Sequence, residues 1–213
     1  MFWCHIKEMH IILGKLVSNV LMFIGIRTHM LVQCLDKNSE VKTAVSVERG
    51  EMIIEDGHRK LKFDVKMLIQ IKQYCQTKTD DLEAGGVLAG RENISNENLI
   101  IEYMTFPASN DIRTRTKYIR RDIFHGEFFQ KLYKASEGTI RYIGEWHTHP
   151  EDFPHYSYTD FCNWKKIFQQ SGIDDFHYHL IAGRKEVAVW KYSDKLKAPW
   201  ILARVAWDKM NIS

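Results

Sequence analysis

The segment Glu83-Ala-Gly-Gly-Val-Leu-Ala-Gly90 constrains the fold more than any other stretch of the chain. Beyond its first residue it carries only glycine, alanine and two aliphatic side chains. It reads as a buried strand, with glycines where neighbouring groups must come close. Around it, helical and strand patterns mix. Asp64 is placed to cap a helix over Val65–Gln76, with Val65, Leu68, Ile69 or Ile71 and Cys75 as its stripe. Leu99–Thr105 reads as a strand. Asp122 opens a helix with Phe124, Phe128, Leu132 and Ala135 on one face. Thr139–His147 is a strand that runs straight into a polar segment. Ser157 precedes a helix bearing Phe161, Trp164, Ile167 and Phe168. Phe176–Ala182, Glu186–Tyr192 and Pro199–Trp207 read as strands. There is no internal repeat and no strict βαβ alternation. The expected fold class is therefore mixed α+β, a mixed sheet flanked by helices.

Composition narrows the alternatives. A chain of 213 residues holds one domain, or one domain and a short extension. With 45% hydrophobic and 27% charged residues it is neither a disordered chain nor a polytopic membrane protein. A net charge of +3 does not point to nucleic acid. Cys4, Cys34, Cys75 and Cys162 lie far apart, so neither a disulfide scaffold nor a four-cysteine zinc module is expected. A reducing compartment, by default the cytoplasm, follows. Residues Ile11–Ile26 are apolar apart from Lys15, Ser18 and Asn19. That run is short for a membrane span and lacks the flanks of a signal peptide. An attached extension, a packing helix and an anchor all remain open for it, although no membrane association is expected. The division reads as an extension over residues 1–50 and a domain over 51–213.

The chemistry is concentrated between Gly144 and Asp160. His147 and His149 are two apart at a strand end, so both imidazoles leave one face. Asp160, in the first turn of the next helix, can bring a carboxylate to them. Two imidazoles and a carboxylate suit one Zn2+ ion. Three protein ligands leave the fourth tetrahedral position open, the catalytic rather than the structural arrangement. A bare H-x-H is more often a strand with two surface histidines. Pro150, Ser157 and Asp160 at fixed offsets turn the reading toward a metal site. A zinc deaminase would need H-x-E and P-C-x-x-C, which are absent.

The spacing H-x-H-x7-S-x2-D of His147, His149, Ser157 and Asp160 resembles the JAMM (MPN-plus) metalloprotease family, whose members hydrolyse peptide or isopeptide bonds with zinc. The resemblance implies an MPN/JAMM-like mixed, partly barrel-like sheet flanked by helices. It makes Glu83 the general base, which takes a proton from water and passes it to the leaving amine. It makes Ser157 the donor to the oxyanion, a role that competes with capping the next helix alongside Asp160. Glu145 departs from the aromatic residue that better-known eukaryotic members carry there. It shares a strand face with both histidines and is a rival base or an orienter of a histidine. Trp146 points the other way, into the core.

The words GEWHTHP, EAGG and D-x-R-x-R resemble one bacterial branch of that family. Its members are deconjugating peptidases encoded in anti-phage islands of the CBASS type. The resemblance spans roughly residues 51–207. It implies a protein substrate joined to its target through its C-terminus. It also implies E1-like and E2-like conjugation enzymes and a nucleotidyltransferase as partners. A cell-wall or phage-tail peptidase of the same fold, or a metal-free MPN-like scaffold, is the alternative. The basic run from Asp111 to Arg121 is either a solvated loop or a clamp for a substrate tail or acidic partner. Arg113, Arg115 and Arg120 are its candidate binding residues. His177 and His179 form a second H-x-H without the other motif residues and read as structural. Cys162 reads as a core thiol.

Overall fold

The computed structural model describes residues 44–172 and 175–210. The apolar run Ile11–Ile26 lies outside the described residues. The first strands form where apolar and charged residues alternate. These are β1 (Val45–Glu48), β2 (Glu51–Asp56) and β3 (Arg59–Asp64). Met52, Ile54, Leu61 and Phe63 are buried, while Lys60 and Lys62 form ion pairs with Glu55 and Glu51 outside. The sheet therefore begins ahead of Glu51.

Helix α1 (Val65–Lys72) starts as expected, with the Asp64 carboxylate accepting from the Lys66 amide at 2.8 Å. It ends at Lys72 rather than Gln76. Tyr74 and Cys75 turn through i→i+3 bonds, and the Gln76 side chain is buried. Strands β4 (Gly85–Glu92) and β5 (Leu99–Met104) follow, then the hairpin β6 (Ile112–Thr114) and β7 (Lys117–Ile119). Thus the basic run is a hairpin, not a loop. Helix α2 (Phe124–Ala135) opens with the Asp122 carboxylate accepting from the Phe124 amide. Its expected apolar face is not its buried face, because Phe124 and Ala135 are exposed. The fully buried residue is His125, held between Thr105 and Asp111. A polar contact, not an apolar stripe, anchors this helix.

The remaining elements are β8 (Ile140–Thr148), α3 (Tyr158–Ser171), β9 (His177–Ala182), β10 (Glu186–Tyr192), β11 (Trp200–Ala206) and a 3-10 turn at Trp207–Met210. Nine strands form one mixed sheet in the order β1-β2-β3-β5-β4-β8-β9-β10-β11. The β3–β5 and β8–β9 pairs are parallel and the others antiparallel. The sheet curls until β11 meets β2, which makes it nearly barrel-like. One face holds the main core, with Phe63, Leu68, Leu88, Trp146 and Leu180. On the other face α3 places Trp164 against Ile181, Trp190 and Tyr192. Cys162, on the same helix, is exposed and not the core thiol its sequence position suggested.

Candidate metal centre

Strand β8 pairs with β4 so that His147 lies opposite Gly85. Beyond the last ladder pair, Thr148 and Ala84 stay together. The Thr148 amide donates to the Ala84 carbonyl at 2.8 Å, and the Ala84 amide to Thr148 Oγ1 at 3.0 Å. Continuing that register brings Glu83 opposite His149. On the other side the His149 amide donates to the Ala182 carbonyl at 3.0 Å, which fixes the strand end that carries both histidines.

Asp160 arrives from the first turn of α3. Ser157 caps that helix: its hydroxyl accepts from the Asp160 amide at 3.1 Å and donates to Asp160 Oδ2 at 2.7 Å. The Ser157 amide donates to the same oxygen at 2.6 Å. The carboxylate is thereby turned toward the histidines. His147 Nε2 and His149 Nε2 are 3.0 Å apart, and Asp160 Oδ1 and Oδ2 lie 3.3 Å and 3.4 Å from them. Ligands bound about 2.0–2.1 Å from a tetrahedral zinc lie about 3.3 Å from one another. The donor set fits such an ion: the two imidazole nitrogens and the carboxylate converge within 4.8 Å of one another, each histidine facing its own carboxylate oxygen. Among the described residues no other three His, Cys, Asp or Glu side chains converge in this way.

Electrostatics separate the two carboxylates. Burial opposes the charge of Asp160, but His147 and His149 beside it hold its carboxyl well below the usual range. Glu83 goes the other way. Burial pushes it up to about 7; His149 opposes this, while Asp160 and Glu151 add to it. A carboxyl poised near neutrality beside a metal-binding cluster can both take and return a proton.

Residues 68–193 match the family model described as prokaryotic homologs of the JAB domain. The chain belongs to that family. The chain is also similar to three proteins named CD-NTase/cGAS isopeptidase. The one from Escherichia coli (strain TW11681) is 33% identical over 140 residues, 66% of this chain and 86% of that protein. The Pseudomonas aeruginosa protein (strain BWHPSA011 / Pa011) is 36% identical over 113 residues, 53% and 70%. The Vibrio cholerae protein (serotype O1, strain ATCC 39315 / El Tor Inaba N16961) is 30% identical over 158 residues, 74% and 93%.

Elsewhere in this JAB domain the sequence candidates are placed differently from one another. Glu145 shares the histidine face, but its carboxylate forms an ion pair with Arg120 beside Tyr118 and Tyr142. Arg113 and Arg115 also point inward. Arg113 donates to the Glu83 and Leu82 carbonyls at 2.6 Å and 3.1 Å, and Arg115 to the Lys78 carbonyl at 2.6 Å. The guanidinium groups are thus occupied with the segment ahead of β4. His177 and His179 are buried under α3, with His179 stacked on Trp164 at 4.3 Å. Burial holds His179 well below the usual imidazole range and His177 down to about 4.

Two residues of the site escaped the sequence. Thr148 sits inside the H-x-H pattern, and its hydroxyl ties Ala84 to the ligand strand. Gln76 donates to the Asp81 and Arg115 carbonyls at 3.1 Å and 2.6 Å and accepts from Thr148 Oγ1 at 3.4 Å. Only Thr148 had a signal, its place between the two histidines.

Proposed function

We propose that this JAB domain is a zinc-dependent isopeptidase. It hydrolyses the bond joining the C-terminus of a ubiquitin-like or otherwise conjugated protein to an amine of its target. The observation that carries the reading is the convergence of the His147, His149 and Asp160 donors on one point, with buried Glu83 beside them. The names of the three relatives support the bond type. They also support a nucleotidyltransferase of the CD-NTase class as the conjugated protein. On this reading E1-like and E2-like enzymes make the conjugate, in the cytoplasm. No helix among the described residues is long and apolar enough to cross a membrane.

His147, His149 and Asp160 would hold the ion, which when bound polarises a carbonyl and lowers the pKa of water to about 7. Glu83 takes a proton from the attacking water and delivers it to the amine nitrogen as the C–N bond breaks. A carboxylate and a free amine leave. Glu145, tied to Arg120, supports the strand that carries the ligands and does not serve as base. Ser157 holds Asp160; to donate to an oxyanion it must first release Oδ2.

Metal analysis of the full chain should find about one equivalent of zinc. Zinc unchanged in a His147→Ala, His149→Ala variant would refute the site. Glu83→Ala should keep zinc and lose turnover by on the order of a thousandfold, with Glu145→Ala losing less. The reverse ranking would exchange their roles. A folded conjugate should be cleaved with a higher kcat/KM than its tail peptide on the same amine. Equal values favour a general peptidase, and no cleavage of any conjugate favours a cell-wall substrate.

A further inference from the structure

We propose that Arg113 is a positioning residue for Glu83: its guanidinium spans the Leu82 and Glu83 carbonyls and fixes the peptide from which the base projects. This rests on the reading of Glu83 as general base. Residues 81–84 belong to no strand, since β4 begins only at Gly85. The β4–β8 register sets the face on which Glu83 lies, but the ladder itself stops short of that residue. The hairpin β6–β7 supplies the further hold on its main chain. The Glu83 amide donates to the Thr114 carbonyl at 2.8 Å, and Arg113 closes on the carbonyl side with Nε at 2.6 Å and Nη2 at 3.1 Å.

The clamp is itself braced. Arg113 lies over the Tyr74 ring, 6.0 Å from its centroid. Tyr74 packs on Phe106 and on Trp146, the residue before His147. Gln76 ties the other end of the hairpin, at Arg115, to Asp81. Tyr118, opposite Arg113 in the hairpin, packs on Gly85; a Cβ there would meet its ring at 2.6 Å. The base segment and the ligand strand are thus held through one set of contacts. A planar fork can hold two carbonyls at once, which an ammonium cannot do with the same geometry. Displacing a reacting group by about 1 Å costs up to about a hundredfold in rate.

The test uses the zinc-loaded full chain and a folded protein joined through its C-terminal tail to a lysine amine. Arg113→Ala should lower kcat by about tenfold or more, with KM and zinc content held. Arg113→Lys should recover part of the loss. In a Glu83→Gln background Arg113→Ala should add nothing further. A raised KM with kcat unchanged would overturn the proposal and make Arg113 a substrate contact. Full turnover by Glu83→Gln would instead remove the base assignment. Amide exchange decides the clamp independently of turnover. In Arg113→Ala the Glu83 and Ala84 amides should exchange about tenfold faster, with β9 and β10 unchanged. Unaltered exchange at Glu83 and Ala84 overturns the clamp whatever the kinetics show.

Discussion

Replacing Ser157 with alanine separates two roles that compete for one hydroxyl. The hydroxyl accepts from the Asp160 amide at 3.1 Å and donates to Asp160 Oδ2 at 2.7 Å. Loss of an N-cap serine costs about 1 kcal/mol. Ser157 is exposed, so water replaces part of what is lost, and the estimate stays near that figure. For a chain of this length about 1 kcal/mol lowers Tm by about 2–4 °C. Asp160 also loses one of the donors that orient it. Such loss weakens metal affinity by about 10–100-fold. Here the low end applies, because the Ser157 amide keeps its 2.6 Å bond to the same oxygen. Thermal unfolding of metal-free protein and a zinc titration against a chelator read the two effects. An unchanged Tm and zinc affinity, with turnover of the loaded enzyme down about a hundredfold, would refute the reasoning. The hydroxyl would then serve the oxyanion and not Asp160.

Four further outcomes follow from the packing and the charges. A Cβ at Gly86 would lie 1.9 Å from the Thr105 carbonyl oxygen, so Gly86→Ala should destabilise by about 1–3 kcal/mol or more. Gly126→Ala, in α2 with open space around it, should stabilise by up to about 1 kcal/mol, and denaturant melts would show the contrast. Trp164→Ala should cost about 3–5 kcal/mol in the same assay, since Trp164 is buried and stacked on His179. For Glu83, raised to about 7, the folded state keeps its proton to higher pH than the unfolded chain. Its contribution is complete below about pH 4.5 and is lost as pH rises through 7. Metal-free Glu83→Gln should therefore gain on wild type across that window, on the order of 1–2 kcal/mol after solvent screening. Parallel stability–pH curves for the two proteins would refute the shift.

Legibility in the sequence tracked how local each constraint is. His147, His149, Ser157 and Asp160 lie on one strand end and the next helical turn, so their spacing, read with the family resemblance it carries, was enough to expect them together. Strand β10, Glu186–Tyr192, was legible to the residue because it is one apolar run between turns. Strands β2 and β3 carried a readable signal in the alternation of Met52, Ile54, Leu61 and Phe63 about a turn at Gly57. Gln76 carried none, and Arg113 only that of a candidate substrate contact. Their partners are main-chain carbonyls of distant segments, and no residue type announces where a carbonyl will lie. The buried face of α2 was misjudged for a related reason. His125 is held by Asp111 and Thr105, both outside the helix, while hydrophobic periodicity reports only apolar burial.

The glycine run and the metal ligands express one constraint. In a β ladder a slip of one residue turns every side chain to the opposite face. Only one β4–β8 register sets Glu83 opposite His149, so something must exclude the others. Gly86 pairs with Trp146 in that register. The indole N–H donates to the Thr105 carbonyl at 2.9 Å, directly over Gly86. A Cβ at residue 86 would meet the indole nitrogen at 2.8 Å as well as that carbonyl. The indole therefore has its seat only where residue 86 lacks a side chain. Sliding β4 by one residue toward Val87 would bring that side chain beneath it. Trp146 faces the core while its neighbour His147 faces α3. Seating the tryptophan therefore directs the ligand, and the same pairing carries Glu83 to the ligand side.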